Sequence, residues 1–270
     1  MRWAALLVAL LVAVVVAALT AAAPARAAPP ITMSGAVVTR SLVADLAYFY
    51  RHAVNDPPRF SLVGGVSQSG IADAERGIVD AGMVARNLIP GDPADLVLTP
   101  VALSGVCVVT NRANPVPAIT RAQIQDILAA RATGWSQIPG SSRTDPIVLV
   151  GLGPTSGTGA LLREVFVDVG TPLVARVVTL ATETQVRDYV AQTPAALALL
   201  DQALVGPLHV AAYEGVGCTR ATIRNGTYPA VRPLGVVTRG KPRGALARFL
   251  RWARSSAKAR QVIRTRYLPL

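Results

Sequence analysis

The sequence is poor in the residues that most often build metal sites and acid–base active sites. Its 270 residues include two histidines and two cysteines, and no Cys/His cluster has the spacing of zinc ligands. No Gly-x-Ser-x-Gly elbow marks a nucleophile, no Gly-Lys-Ser/Thr ending marks a nucleotide-phosphate loop, and no pair of carboxylates stands out. We therefore expect neither an enzyme nor a bound cofactor.

Long apolar runs are absent outside the N-terminus. Residues 4–19 are almost purely Ala, Val and Leu, Arg2 precedes them, and Ala25-Arg26-Ala27 offers small residues where a signal peptidase reads. This pattern predicts a signal peptide over 1–27, cleaved after about Ala27, and hence an exported, periplasmic or cell-envelope protein. An uncleaved anchor is the alternative, because the run is only marginally long enough to span a bilayer. No cysteine follows the signal, so lipid attachment there is not expected.

The two cysteines, Cys107 and Cys218, both follow the predicted signal. An exported protein meets an oxidising compartment, and a disulfide between them is therefore expected. The alternative is a pair of buried thiols, since free cysteine behaves as a small apolar residue.

Acidic residues are missing from the last part of the chain. Between Arg239 and Leu270 there are ten Lys and Arg residues and no Asp or Glu. The formal charge of +12 falls to +10 without Arg2 and Arg26, so residues 28–238 carry no net charge. The basic segment predicts either peripheral contact with an anionic membrane or acidic partner, or simply a solvated helix face. Nucleic acid is not an expected partner, because no aromatic-rich basic groove motif accompanies the charge.

Predicted strands and helices alternate along the chain, which indicates an α/β fold with a parallel sheet. Strands are expected near 31–33, 60–63, 81–84, 101–110, 147–150, 174–179, 195–200, 209–213 and 234–237. Helices are expected near 42–52, 71–77, 120–128, 159–166, 183–191, 245–253 and 256–266. Residues 34–36 are expected to form a turn and 64–70 a flexible polar loop.

Two serine- and glycine-rich segments lie where a predicted strand passes into a predicted helix. They are Ser67-Gln68-Ser69-Gly70 and Thr155-Ser156-Gly157-Thr158, and the turn Gly35-Ala36-Val37 is a third candidate. Helix N-termini present unpaired N–H groups and partial positive charge, glycine allows close approach, and hydroxyls add donors. Each segment alone is more often an N-cap, but together they predict a site for a small anion.

In and around these segments the sequence resembles the phosphate-type solute-binding proteins of ABC importers. The matching pieces cover nearly all of the mature chain, at 31–35, 67–71, 79–86, 109–115, 119–124, 134–136, 155–158, 226–234 and 267–270. The resemblance implies two Rossmann-like α/β lobes joined by two crossing segments, with a ligand cleft between them, as in type 2 periplasmic binding proteins. Lobe one would be 28–104 plus 208–270, and lobe two 105–207, with crossings near 105–110 and 204–210. It also implies closure about a hinge, which a disulfide at the crossings would limit, and a monomer that delivers its ligand to importer membrane subunits.

The resemblance further implies a ligand set, and this chain departs from it. Ser67, Ser156, Gly157 and Thr158 match the family, and Gly35, Ala36, Val37, Ser69 and Gly70 complete the candidate ligand-binding residues. Ala85 stands where phosphate binders of the family have an Asp that accepts the proton of phosphate. Leu152 stands where they have an Arg, and Val37 stands where they have a threonine. Arg86 is a candidate replacement for the missing charge, or else forms a salt bridge within the fold.

Two functions follow from these observations. The first is an extracytoplasmic receptor that binds a small oxyanion, phosphate or a relative such as sulfate or molybdate, for an ABC importer. The alternative is an interaction protein of the cell envelope with a degenerate pocket and a basic C-terminal surface.

Overall fold

The structure is a computed structural model, and it describes residues 29–154, 156–168 and 170–270. The predicted signal peptide with its cleavage site at Ala27, and Thr155 of the second serine-rich segment, lie outside the described residues. Among the described residues, no helix combines the length and apolar character needed to cross a bilayer.

Strands and helices alternate over most of the described chain, as the sequence predicted. The strands are β1 Ile31–Ala36, β2 Phe60–Gly65, β3 Ala81–Val84, β4 Leu96–Thr110, β5 Ala118–Ile119, β6 Val148–Leu152, β7 Val177–Leu180, β8 Ala196–Asp201, β9 His209–Tyr213, β10 Val231–Arg239 and β11 Leu268–Pro269. The α-helices are α1 Val37–Tyr50, α2 Ser67–Glu75, α3 Arg121–Leu128, α4 Gly157–Leu161, α5 Glu183–Gln192, α6 Arg220–Arg224, α7 Gly244–Ser255 and α8 Ala257–Ile263.

The strands join in the order β2-β1-β3-β10-β4-β8-β6-β7. β1 pairs in parallel with β2 and β3, and β6 pairs in parallel with β7 and β8. Two long antiparallel strands, β4 and β10, connect these parallel groups, and Arg232 is paired with Ser104 in their register. The carboxyl ends of parallel strands are where open α/β sheets bind ligands.

Apolar residues form two main cores, one on either side of this connection. The first includes Met33, Leu46 and Phe249 and packs α1, α7 and α8 against the sheet. The second includes Trp135 and Phe166, and it also takes in 208–230 through residues such as Tyr213 and Tyr228. The lobe boundaries stay a prediction. Because residues 208–230 pack in the second core, the second crossing between the lobes is better placed near 231 than at 204–210.

The segments expected to be a turn at 34–36 and a loop at 64–70 are, apart from Val66, parts of strands and a helix, so those expectations were wrong. Residues 34–36 end β1, and Ser67–Gly70 form the first turn of α2. A methyl group added at Gly70 would lie 2.7 Å from the Ser34 carbonyl oxygen and 2.9 Å from that of Met83. The glycines therefore serve close packing of a helix on strands, which the sequence pattern did not distinguish from flexibility.

The predicted disulfide between Cys107 and Cys218 is confirmed, with a Cα–Cα distance of 5.5 Å. Both residues belong to the second apolar core. The bond therefore ties β4 to the segment before α6 within one core, and the limit on hinge movement that the resemblance implied stays a prediction.

Candidate functional site

A cavity of about 190 Å³ lies at the carboxyl ends of β1, β2, β3, β6 and β7. Turns from both sides of the connecting strands line it. Seven of the sequence-predicted site residues are among the lining residues, namely Ala36, Val37, Ser67, Ala85, Leu152, Ser156 and Gly157. The fold therefore brings together segments that are more than a hundred residues apart in the sequence.

Four helices begin at this cavity. α1 begins at Val37, α2 at Ser67, α4 at Gly157 and α5 at Glu183, and all four residues line it. Unpaired N–H groups and the partial positive charge of a helix dipole lie at each such end. The cavity is therefore a favourable environment for negative charge.

Two serine hydroxyls lie on opposite sides of the cavity. The Ser67 hydroxyl oxygen accepts a hydrogen bond from the backbone N–H of Ala85 at 3.1 Å. The Ser156 hydroxyl oxygen accepts one from the backbone N–H of Gly159 at 2.9 Å. Within the described part of the chain neither hydroxyl donates, so each has a hydrogen to offer to an acceptor in the cavity.

The two sides of the cavity touch at Gly157. A methyl group added there would lie 2.7 Å from the Ala85 carbonyl oxygen and 3.1 Å from both the Ala85 Cβ and the Ser67 hydroxyl oxygen. Only glycine fits this approach, and a small residue opposite it is also needed. Ala85 thus has a steric role where the family's phosphate binders have an acid.

Four other predicted ligand-binding residues do not line the cavity. Gly35 and Gly70 pack against each other, and the Ser69 hydroxyl donates to the Val66 carbonyl oxygen at 2.8 Å, at the start of its own helix. Thr158 is buried behind the cavity wall. Their role in binding a ligand stays a prediction.

Arg86 forms the salt bridge that was the alternative to a ligand contact. Its two terminal nitrogens bind the two carboxylate oxygens of Asp92 at 2.6 and 2.9 Å. They also donate to the Asn87 carbonyl oxygen and the Gln68 side-chain oxygen. Arg86 is therefore committed to the fold and is not among the lining residues.

The charged residues of the cavity are ones that the sequence analysis did not single out. Arg232 lines it and is almost fully buried. Its terminal nitrogens donate to the Thr158 hydroxyl at 2.9 Å, to Glu183 Oε1 at 3.2 Å and to Asp201 Oδ2 at 2.8 Å. The Thr158 hydroxyl donates to Glu183 Oε1 at 2.8 Å, and Ser104 donates to Asp201 Oδ2 at 2.7 Å. One arginine thus links two carboxylates from different elements.

The protonation of this cluster follows from its burial. Burial raises the pKa of Glu183, and the neighbouring Asp201 raises it further, although Arg232 opposes both. Burial by itself lowers the pKa of Arg232, but the two carboxylates outweigh it and the pKa is raised. Arg232 is therefore charged and paired with Asp201. A Glu183 that keeps its proton adds no negative charge to the cavity.

One feature of the sequence did indicate that Arg232 has a special role. It lies in an apolar strand, and a charge that is buried in a strand needs a partner. Glu183 had no such signal, because an acid after Thr182 fits the ordinary first turn of a helix, where it complements the dipole.

Comparison with solved structures gives the fold. A protein described as a phosphate ABC transporter substrate-binding protein from Clostridium perfringens, crystallised with bound phosphate, superposes with a TM-score of 0.80 at 20% identity, over 90% of this chain and 100% of that one. An ABC-type phosphate transport receptor from Vibrio cholerae superposes with a TM-score of 0.72 at 23% identity, over 89% and 100%. The fold is therefore that of type 2 periplasmic binding proteins, as the sequence resemblance implied.

Comparison with curated sequences and a family profile gives the family. Phosphate-binding protein PstS 2 of Streptococcus pneumoniae is 28% identical over 108 residues, 40% of this chain and 37% of that protein. PstS 2 of Streptococcus agalactiae is 32% identical over 88 residues, 32% of this chain and 30% of that protein. The chain thus spans 37% or less of these relatives. The profile of the PBP superfamily domain matches residues 20–257, most of the chain, and the chain accordingly belongs to the PBP superfamily.

Proposed function

We propose that this protein is an extracytoplasmic receptor that binds one small oxyanion, phosphate or a related anion, and delivers it to the membrane subunits of an ABC importer. It acts as a binding protein and not as an enzyme. The single observation that carries the proposal is the meeting of four helix starts and two free serine hydroxyls at one cavity beside Arg232. Neutral donors and helix ends of this kind hold an anion without a metal.

The relatives support phosphate as the first ligand to test. Two curated relatives are named as phosphate-binding proteins, and one structural neighbour was crystallised with phosphate. Ala85 and Leu152 nevertheless remove the charged partners that the family's phosphate binders have at those positions. A hydrogen bond to a charged group contributes about 1.5–3 kcal/mol, so the loss corresponds to roughly one to two decades of affinity where nothing replaces it. The proposal therefore names a class of oxyanion.

We propose two lobes that close on the anion, residues 28–104 with about 231–270, and residues 105 to about 230. The second boundary follows the packing of Tyr213 and Tyr228 in the second core. Closure brings Gly157 against Ala85, and a closed receptor presents a surface that an importer can distinguish from the open one. The long strand β4, which crosses from one lobe to the other, and the start of β10 near residue 231 are where the chain bends.

Calorimetric titration of the purified mature protein with phosphate, sulfate and molybdate at low salt tests the proposal. We expect saturable binding of one anion per monomer. Ser67→Ala and Ser156→Ala should each weaken it about tenfold to a hundredfold, because each removes a donor to a charged ligand. Ser255→Ala, an exposed serine on α7, is the matched control and should bind as the wild type does. Binding of all three anions no tighter than millimolar would remove the proposal's main support.

The alternative of an envelope interaction protein with a degenerate pocket rests on the basic C-terminal surface. Exposed side chains there include Arg248, Arg251 and Arg254 on α7, whose opposite face buries Phe249 and Leu250. The comparisons with known proteins favour the receptor over this alternative. Peripheral membrane association through this face stays a prediction, which sedimentation with anionic vesicles checks.

A further inference from the structure

Two residues that line the cavity each have one buried polar atom without a hydrogen-bond partner among the described residues. The two atoms are Glu183 Oε2 and Arg232 Nε. Each of the other side-chain nitrogen and oxygen atoms of these two residues forms at least one hydrogen bond, with Thr158, Asp201 or each other. A buried polar atom without a partner costs free energy, so a ligand that pairs with it regains that cost.

Charged and titratable groups from several elements surround Glu183 and affect whether it is protonated. Arg232 on β10 and Asp201 on β8 contact the same cluster, and Arg266 and Tyr267 from the C-terminal segment line the same cavity. The side chain of Arg266 is 55% exposed and lies 3.9 Å from Asp45. Because solvent screens exposed charges, Arg266 has only a weak effect on Glu183. Arg232 and Asp201 compensate each other, which leaves Glu183 as the one carboxyl of the cluster without a full counter-charge.

The protonated form of Glu183 fits this arrangement better than the ionised form. Oε1 accepts two hydrogen bonds, from Thr158 and Arg232, so the proton belongs on Oε2. The raised pKa of Glu183, caused mainly by burial, agrees with that placement. A proton on Oε2 and the N–H at Arg232 Nε are then two donors without acceptors, on two residues that line one cavity.

We propose that Glu183 and Arg232 determine the specificity of the oxyanion site, with Arg232 Nε donating to the bound anion and Glu183 Oε2 sharing one proton with it. This inference rests on the proposed function. The pair supplies a guanidinium N–H donor and a proton partner, which Leu152 and Ala85 cannot provide. Arg232 and Glu183 belong to β10 and α5, whereas Ala85 follows β3 and Leu152 ends β6.

The proton balance separates two anions. Sulfate carries no proton near neutral pH, so the complex must take its proton from Glu183. Phosphate still carries a proton near neutral pH, so the shared proton can come from the phosphate or from Glu183. Sulfate affinity should therefore fall about tenfold per pH unit above the pKa of Glu183, because binding is linked to one proton. Phosphate affinity should fall less steeply over the same range.

Titration of sulfate and phosphate against the wild type and Glu183→Gln, from about pH 5 to about pH 9, tests the inference. The amide side chain of this variant would keep an acceptor for Arg232 and Thr158 and would offer a permanent N–H donor. We expect the sulfate affinity of E183Q to be independent of pH, and its preference for phosphate over sulfate at high pH to shrink. Glu75→Gln, at an exposed position on α2, is the matched control and should keep the wild-type pH profile.

Two results are distinguishable from each other. Sulfate affinity that is flat with pH in the wild type, or that has the same slope in E183Q, overturns the role of Glu183 while the oxyanion receptor stands. Absence of binding of either anion at every pH overturns the proposed function, and the inference falls with it. Arg232→Lys adds a second check, since it keeps the charge but cannot reproduce the planar guanidinium, and it should weaken both anions alike.

Discussion

Arg86 and Arg232 are both buried arginines paired with aspartate, but they differ in what they leave unpaired. Arg86 binds Asp92, six residues away, with both terminal nitrogens, and lies outside the cavity. Arg232 reaches Asp201 and Glu183, which are 31 and 49 residues away, and leaves its Nε without a partner among the described residues. A local pair that leaves none of the arginine's polar atoms both buried and without a partner stabilises one turn of the chain. We expect a ligand to use the long-range pair, because Arg232 lines the cavity and its buried Nε has no partner among the described residues.

The largest expected effect comes from breaking each pair. Arg86→Met and Arg232→Met each leave a buried carboxylate without its partner, which destabilises a protein by about 3–5 kcal/mol. Urea denaturation should show a similar loss for both. Anion affinity should separate them, because Arg232→Met removes a ligand contact and Arg86→Met removes only a structural one.

Calorimetry on the folded fraction of both variants is the readout. Equal loss of affinity in Arg86→Met and Arg232→Met would contradict the division of roles between the two arginines.

The disulfide belongs on the structural side of the comparison, with Arg86. It closes a loop of 111 residues within the second core. Replacing Cys107 and Cys218 with serine should lower the free energy of unfolding by about 2–4 kcal/mol, because the unfolded chain gains freedom. Anion affinity should stay unchanged, as should the pH dependence of sulfate binding. A large fall in affinity of the folded double variant would show that the bond controls closure after all.

Gly157 belongs on the side of the ligand, with Arg232. Gly157→Ala adds a methyl group 2.7 Å from the Ala85 carbonyl oxygen in the closed cavity. Overpacking costs about 1–3 kcal/mol, and affinity should therefore fall by roughly five- to 150-fold. Gly153→Ala is the matched control, because its methyl group would meet no atom within 4 Å. Equal anion affinities of the two variants would mean that the close contact between Gly157 and Ala85 is not part of the ligand-bound state.

The smallest expected effect is the pH dependence that Glu183 gives to stability. Its pKa is raised in the folded protein, mainly by burial. As pH rises above the ordinary range of glutamate, the unfolded chain releases this proton first, so the free energy of unfolding falls. The stability of the wild type relative to Glu183→Gln should therefore decline from acidic to neutral pH. Urea denaturation at a series of pH values measures the free energy of unfolding of both proteins. A wild-type stability that rises with pH relative to Glu183→Gln would contradict a buried, protonated Glu183.

The sequence predicted the elements whose evidence is local. Alternation of apolar strands and helices predicted the α/β fold, and serine next to glycine at strand ends predicted that Ser67, Ser156 and Gly157 would meet at one site. It did not distinguish a glycine needed for close packing from one in a loop, which is why Gly70 was assigned to a flexible segment. The deciding feature at Gly70 is the distance to another backbone, and that distance is set by the whole sheet.

The charged cluster could not be predicted in the same way. Arg86 was a candidate ligand-binding residue because it follows Ala85, where the resemblance implied an acid. Arg232, Glu183 and Asp201 come from three elements that meet only in the folded chain. Glu183 and Asp201 fit ordinary local roles, in a first helical turn and at a strand end, and the charge of Arg232 in an apolar strand did not show which partners it has. Only their contact makes them candidates for recognising a ligand.

A crystal structure of the mature protein grown with phosphate tests the central claim most directly, namely that the cavity between the cores holds an oxyanion at Arg232 and Glu183. We predict one tetrahedral anion there, with oxygens within about 3 Å of Arg232 Nε, Glu183 Oε2 and the Ser67 hydroxyl. An empty cavity at phosphate concentrations that saturate the protein in solution, or an anion bound only at the basic C-terminal surface, would contradict the account.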